Sequence, residues 1–467
     1  MNTPIYDFIS RYKNADISRL HMPGHKGQAF LGCEDMDITE IAGADVLCMA
    51  DGIIKESQDN ASCLFGTGAT FYSTEGSSQC IKAMLETVRN DYIKRELSAK
   101  EIKEKSNKEK YIERPRILAA RNVHRAMIDA CALIDIDIDF IMPDNVTNIC
   151  SGMVTGDMVR QKLASYEKLP MGVYITSPDY LGNIADIKAI SFVCDEYDIP
   201  LIVDNAHGAY LAFMENNLHP IHLGAAICCD SAHKTLPVLT GGAYIHISQR
   251  YRERFSGYIS KALTLFGSTS PSYLIMQSLD ICNSYLADGF KAKLSNTIKR
   301  VDELKIKLKE KSICIHESEK LKLVIDTSVS GYTGEETAEE MRNFDIECEY
   351  ADRQYIVLMF STENNDTDFK RIINWAEKSV ITKNKKEGIK LRNIYSEKAR
   401  RAMTIREAVF SPSEMIDVSE ALGRVCAAET ISCPPAVPIA VSGEVIDRSM
   451  IELFREYGIN KVCVVCL

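Results

Sequence analysis

The chain has 467 residues, 46% hydrophobic and 26% charged, an ordinary globular composition with length enough for two or three hydrophobic cores and a large cleft. Its formal net charge of -10 argues against a nucleic-acid or anionic-membrane surface, which needs clustered positive potential, and mildly favours cationic ligands. No apolar run approaches the ~20 residues that span a bilayer, and the start "MNTPIYDFISRYKNADISRL" lacks a basic-then-apolar signal pattern, so a cytoplasmic protein is expected.

In chain order, "STEGSSQ" (73 to 79) reads as a turn of small residues leading into the helical pattern "QCIKAMLETV". Backbone N–H groups and the Ser77 and Ser78 hydroxyls could there meet a phosphate at a helix N-terminus. Residues 90 to 113 are charged and nearly devoid of large aliphatics, which predicts a solvated helix or loop without a function of its own. From 115 to 248 short apolar runs alternate with amphipathic stretches. "PRILAAR", "DIDFIMP", "MGVYITSP", "IPLIVDNAH" and "GGAYIHIS" read as strands, while "RAMIDACALI", "GDMVRQKLASYE" and "DIKAISFVCDEYD" have helical spacing. Strand and helix in series predict right-handed crossovers and a mostly parallel sheet, with ligands beyond the carboxyl ends of the strands. After Pro271 a helical pattern from 273 to 311 reads as one long connecting helix. It leads to the elements of a smaller α/β domain: "LKLVIDTS", "EETAEEMRNF", "YIVLMFST" and "DFKRIINWAEKSV". "TKNKKEGIKLR" reads as a linker, and 400 to 467 as a third unit around "SCPPAVPIAVSGEVI". The sixteen cysteines are scattered, several in apolar runs such as "AAICCD", which fits core thiols better than a disulfide framework. The final "CVVC" is expected to be a buried strand rather than half of a metal site.

The polar residues that follow the apolar runs form a set: Ser77 and Ser78, His124 in "RNVHRA", Asp204 and His207 in "IVDNAHG", and Ser231, His233 and Lys234 in "DSAHK". Each has an ordinary reading taken alone: an N-cap pair, a turn cap, core histidines, a lysine snorkelling from a rim. Their shared placement at strand ends of one sheet points elsewhere. An amine, a buried carboxylate, imidazoles and an anion cradle are the parts that hold pyridoxal 5′-phosphate, with Lys234 making the Schiff base and Asp204 keeping the pyridine nitrogen protonated.

The same residues carry a family resemblance. "RLHMPGHKG" (19 to 27), "DITEIAGADVL" (37 to 47), "RNVHRA" (121 to 126), "SPDYLGNIADI" (177 to 187), "VDNAHGAY" (203 to 210), "SAHKTLPVLTGGAYIH" (231 to 246), "GSTSPSY" (267 to 273) and "PPAVPIAVSGEVI" (434 to 446) resemble, in order and over nearly the whole chain, the Orn/Lys/Arg decarboxylases. These are fold-type-I pyridoxal-phosphate enzymes, and the likeness is to the short bacterial forms without a wing domain. The resemblance implies an α/β, aspartate aminotransferase-like large domain with a mostly parallel sheet, a small α/β domain and a C-terminal domain. The divisions expected are an arm at 1–40, the large domain at 41–290, the small domain at 291–385 and the C-terminal domain at 386–467.

By the same resemblance, Lys234 carries the Schiff base, Asp204 faces the pyridinium, His124 stacks on the cofactor face, Ala206 packs on the other face and His207 reaches the phenolate oxygen. Ser78, Ser231 and His233, with backbone from Gly76 and Ser77, hold the phosphate. Ser268 or Thr269 reaches the neighbouring subunit's phosphate, which implies a homodimer with shared sites or a larger assembly built on it. His233 or Lys234 is the candidate proton donor, and Glu444, with Asp45 behind it, the candidate acid for a basic substrate side chain. No metal is called for.

The implied reaction is decarboxylation of arginine, lysine or ornithine to the amine and carbon dioxide. An aminotransferase or other lyase is the alternative, Arg353 being the candidate carboxylate grip. A catalytically silent cofactor-binding homologue with a regulatory role is the alternative from another class. The departures are Asn205 where the family has Glu, "DVLCMADG" for a "DNLHHPEG" type of segment, "TEGSS" for "NGTS", and "PPAVPIAVSGE" for "PPGIPLLVPGE".

Overall fold

The apolar runs between residues 69 and 247 become strands, and those nearest the site are buried along their whole length, as a sheet covered on both faces requires. In the computed structural model they are β1 (Ala69–Ser73), β2 (Arg116–Ala120), β3 (Asp137–Ile141), β4 (Val173–Thr176), β5 (Leu201–Asp204), β6 (Ile227–Asp230) and β7 (Ala243–Ile247). The structure describes residues 1–103, 113–143, 145–384, 386–394, 399–428 and 435–466. The seven strands make one sheet in the order β1-β7-β6-β5-β4-β2-β3. β5 and β6 are parallel, whereas β7 runs against both β6 and β1. The helix expected over "RAMIDACALI" spans Arg125–Ile134, and the one after "STEGSSQ" spans Gly76–Lys103. The rest of the charged 90 to 113 stretch lies mostly outside the described residues.

The chain divides into two compact units, residues 1–117, 163–175 and 187–292, and residues 118–162, 176–186 and 293–467. In the first, the helix Pro4–Asn14 is anchored by Asp280 of the helix Tyr273–Ala287. Asp280 Oδ2 accepts from Ile5 N and Tyr6 N at 2.9 and 3.0 Å, and Oδ1 accepts from Ser57 Oγ at 2.5 Å. Asp280 is fully buried, and burial pushes its carboxyl from 3.8 up to about 6. The folded chain therefore holds a proton that the unfolded chain gives up between these values. Stability from this group is fully present below pH 3.8 and is lost as the pH rises through about 6. Asp280→Asn keeps an acceptor for the two N–H groups and removes the buried charge. Relative to the unaltered chain, its urea midpoint is expected to improve from about pH 5 to about pH 8 by on the order of 1–2 kcal/mol. A difference that does not change with pH would refute this account.

The second unit holds two smaller sheets. One contains β8 (Ile315–His316), β9 (Lys322–Asp326), β10 (Tyr350–Ala351) and β11 (Tyr355–Met359), in the order β10-β11-β9-β8. The other contains β12 (Ser413–Asp417), β13 (Cys426–Ala428) and β14 (Lys461–Val465), with β14 central. The terminal strand expected at "CVVC" is thus found, and all cysteines of the described residues are outside disulfides.

One expectation changes. The long connecting helix is two helices, Tyr273–Ala287 and Phe290–Glu310, because Gly289 adopts φ +74° and ends the run. The C-terminal residues share a core with the small sheet: Val324 and Val357 pack in one cluster with Val437, Ile439, Phe454 and Val464. Apolar side chains of the C-terminal helix and strand are buried there against the sheet of β9 and β11.

Candidate active site

β5 ends at Asp204 and β6 at Asp230, and the pairing Asp204↔Cys229 puts the following residues, Asn205 to Gly208 and Ser231 to Lys234, at the same end of the sheet. β1 reaches the same end, since it and β6 both run against β7. The segments after β1 and β6 are stitched by one glycine turn. Gly241 O accepts from Gly76 N at 2.7 Å, and Gly242 O accepts from His233 N at 3.3 Å and from His233 Nδ1 at 3.1 Å. Gly241 has φ +97°, and a Cβ there would lie 2.8 Å from Thr74 O. Only glycine lets the turn approach so closely.

Lys234 sits in a single helical turn, Ala232–Thr235, with Nζ 3.1 Å from His207 Nε2. Asp204 is 2% exposed. Its Oδ1 accepts from Ala206 N at 3.1 Å and from the Cys229 thiol at 3.7 Å, and its Oδ2 from Tyr174 OH at 3.3 Å. Burial first and the Asp204 charge second push the Cys229 thiol well up, so it remains a donor. Among the described residues, every hydrogen-bond partner of Asp204 is neutral. A buried carboxylate served only by neutral donors suits a cationic ring N–H as its further partner.

Ser231 Oγ is fully buried and has no hydrogen-bond partner in the structure. Ser77 and Ser78 open the helix Gly76–Lys103, whose first N–H groups have no intrahelical acceptor. An orphaned hydroxyl, helix N–H groups, an amine and a buried acid at one sheet end fit pyridoxal 5′-phosphate. Ser231 and His233 follow β6, Ser77 and Ser78 open the helix that begins at Gly76, Asp204 ends β5 with Ala206 just after it, and Lys234 and His207 form the amine pair.

The remaining expected residues lie on other segments. His124 belongs to the second unit, where it is the N-cap of the helix Arg125–Ile134 and its Nδ1 accepts from Ala126 N. Ser268 and Thr269 lie on an exposed loop, with Ser268 N donating to Glu75 Oε1. Arg353 is half-exposed and 3.4 Å from Glu456.

The two acids expected to meet a basic substrate have partners within the chain. Glu444 is buried, with Oε2 accepting from Val441 N at 2.8 Å and from Arg121 Nη2 at 3.5 Å. Asp45, at φ +65°, accepts from the backbone N–H of Val46, Asp51, Gly52, Ile54 and Lys55. Burial pushes its carboxyl up, but these bonds outweigh it and hold it below the usual value. Asp45 therefore organises the altered "DVLCMADG" loop and starts the helix Ile53–Phe65.

Sequence reasoning passed over Asp230, His219 and His246, all fully buried beside the site. The available signal was period two. Cys228 and Asp230 share a strand face, and Cys228 lies opposite His246 on β7.

Residues 110–372 match the family described as "Orn/Lys/Arg decarboxylase, major domain". An arginine decarboxylase of Bacillus subtilis is 27% identical, over 96% of this chain and 92% of the relative. One from Halalkalibacterium halodurans is 26% identical, over 97% and 93%. Among solved structures, the lysine decarboxylase LdcF of Francisella novicida aligns with a TM-score of 0.78 at 15% identity, covering 99% of this chain and 81% of that one. The constitutive lysine decarboxylase of E. coli aligns at 0.76 and 15%, covering 100% and 82%. Among the described residues, no helix is long and apolar enough to cross a membrane.

Proposed function

The chain belongs to the Orn/Lys/Arg decarboxylase family, and from that premise we propose that it is a pyridoxal-phosphate-dependent decarboxylase releasing carbon dioxide and an amine from a basic α-amino acid. The observation that carries the reading is the placement of Lys234, buried Asp204 and the orphaned Ser231 hydroxyl at one sheet end within the matched residues.

When bound, the cofactor supplies an electron sink for the pair left by the departing carboxylate. The chain supplies the rest. Lys234 would hold the cofactor through its amine, and His207, 3.1 Å from Nζ, is placed to steady that amine. Asp204 keeps a proton on the ring nitrogen from a site that excludes water, where its charge is weakly screened. Ser231 and the start of the helix Gly76–Lys103 hold the phosphate. By the family resemblance, His124 covers one cofactor face and Ala206 the other. Ser268 or Thr269 serves the neighbouring subunit of a cytoplasmic homodimer, and His233 or Lys234 returns the proton to Cα.

The test is a panel of arginine, lysine and ornithine given to purified protein with pyridoxal 5′-phosphate, following carbon dioxide, amine and keto acid. Arginine leads the panel, because relatives matching nearly the whole chain bear the name arginine decarboxylase. Carbon dioxide and amine in equal amounts from one of the three, without keto acid, is the expected result. Keto acid in place of carbon dioxide, or no turnover of any of them, would overturn the reading.

A further inference from the structure

The loop that carries Asp204 and the turn that carries Lys234 leave neighbouring parallel strands, so their separation depends on what ties the ends of β5 and β6 together. The backbone supplies one bond there, Asn205 N to Cys229 O at 3.0 Å. The next tie is made by side chains: Asn205 Nδ2 donates to Asp230 Oδ1 at 2.7 Å, with both residues fully buried. Among the described residues Asn205 Oδ1 has no partner, so the carboxylate sets which way the amide faces. Gly208 makes room for it, since a Cβ at 208 would lie 2.0 Å from Asn205 Oδ1.

The other oxygen of Asp230 faces two imidazoles. Oδ2 is 3.1 Å from His219 Nε2 and 3.3 Å from His246 Nε2, and His246 Nδ1 is held by Thr70 Oγ1 at 2.9 Å. Burial pushes the Asp230 carboxyl up, but His219 first and His246 with it hold it well below its usual value. The other titratable groups that interact with it are the Cys228, Cys229 and Cys80 thiols and the Tyr244 phenol. A carboxylate at 205 would bring a second buried negative charge against Asp230. Asparagine can instead donate to it, which gives a physical reason for the amide at this position.

We propose that Asn205 and Asp230 are a positioning pair, a side-chain rung that fixes the separation of Asp204 from Lys234 and so seats the cofactor between them. The inference rests on the cofactor-dependent reading above and goes beyond it by assigning work to two residues that touch neither the substrate nor the reacting atoms.

The test compares Asn205→Ala, Asn205→Asp and the reversed pair Asn205→Asp/Asp230→Asn with the unaltered chain, using the pH titration of the cofactor absorbance band, kcat and KM separately, and thermal melts without cofactor. Both single variants are expected to shift the titration midpoint of the band and to lower kcat about tenfold to hundredfold, with KM changed by less than about threefold. The reversed pair, which restores an amide-to-carboxylate bond with the roles exchanged, is expected to regain about tenfold over Asn205→Asp alone. Asn205→Ala introduces no charge and keeps the test open if Asn205→Asp does not fold. A lowered melting temperature with an unshifted band titration would make the pair merely structural and overturn the proposal. A reversed pair no better than Asn205→Asp would do the same. No cofactor band in the unaltered chain would overturn the decarboxylase reading together with this one; a normal band that Asn205→Ala leaves unchanged, with kcat intact, would overturn only the positioning pair.

Discussion

Lys234→Ala is expected to abolish the absorbance of lysine-bound cofactor and to reduce carbon dioxide release on the order of a thousandfold or more. The amine is the group that binds the aldehyde covalently, and its described neighbour, His207 Nε2 at 3.1 Å, is too weak a nucleophile toward an aldehyde to replace it. The fold should survive. Lys234 is only half-buried and occupies a single turn between Ser231 and Leu236, so truncation removes no large apolar surface and is expected to cost within about 1 kcal/mol. The measurement is absorbance and carbon dioxide release beside a melt of the cofactor-free protein. A variant that keeps the band and turns over substrate would end the scheme.

Arg121→Met is expected to destabilise the chain by about 3–5 kcal/mol. The guanidinium is buried and does three jobs at once: Nη1 donates to Pro438 O at 2.8 Å, Nη2 donates to Ile439 O at 2.9 Å, and Nη2 lies 3.5 Å from Glu444 Oε2. Its plane also sits 5.0 Å from the Phe140 ring. Methionine fills most of the volume but leaves a carboxylate without its charge partner and takes a donor from two carbonyls in a dry place. Arg121→Lys should recover little, because one ammonium cannot reproduce a fork that meets two carbonyls and an acid. Pairing Arg121→Met with Glu444→Gln should recover part of the loss by removing the stranded charge. Urea denaturation of the three variants checks this, and a cost for Arg121→Met below about 1 kcal/mol would show that the buried pair contributes little.

Much of the site was legible in the chain because it is built from local rules. Apolar runs of strand length placed β2 to β5 and β7 close to where they lie, and "RAMIDACALI" coincides with the helix Arg125–Ile134. Polar residues directly after those runs had to emerge at the carboxyl ends, which is how Asp204, His207, Ser231 and Lys234 could be gathered before any contact was known. The glycines of "LTGGAY" announced a tight turn, and Gly241 proves to be where β1's end and the lysine turn are stitched together.

The partners of the acids are illegible in the chain for the opposite reason. Asp45 accepts from five backbone N–H groups within ten residues of it, and Glu444 is held by an arginine more than three hundred residues away in sequence. A carboxylate carries no local mark of what it will meet. The same blindness hid Asp230, whose partners Asn205, His219 and His246 come from three different segments.

The amino-acid order by itself thus determined the alternation of strands and helices and the types of group that gather at one end of the sheet. These follow from side-chain period and from chain geometry over a few residues. Only the tertiary structure decided which charged groups are spent on one another, where the 273 to 311 helix breaks, and that the C-terminal strand and the small sheet share a core. Those outcomes depend on packing and desolvation among residues far apart in the chain, where one oxygen finding a donor removes it from every other use.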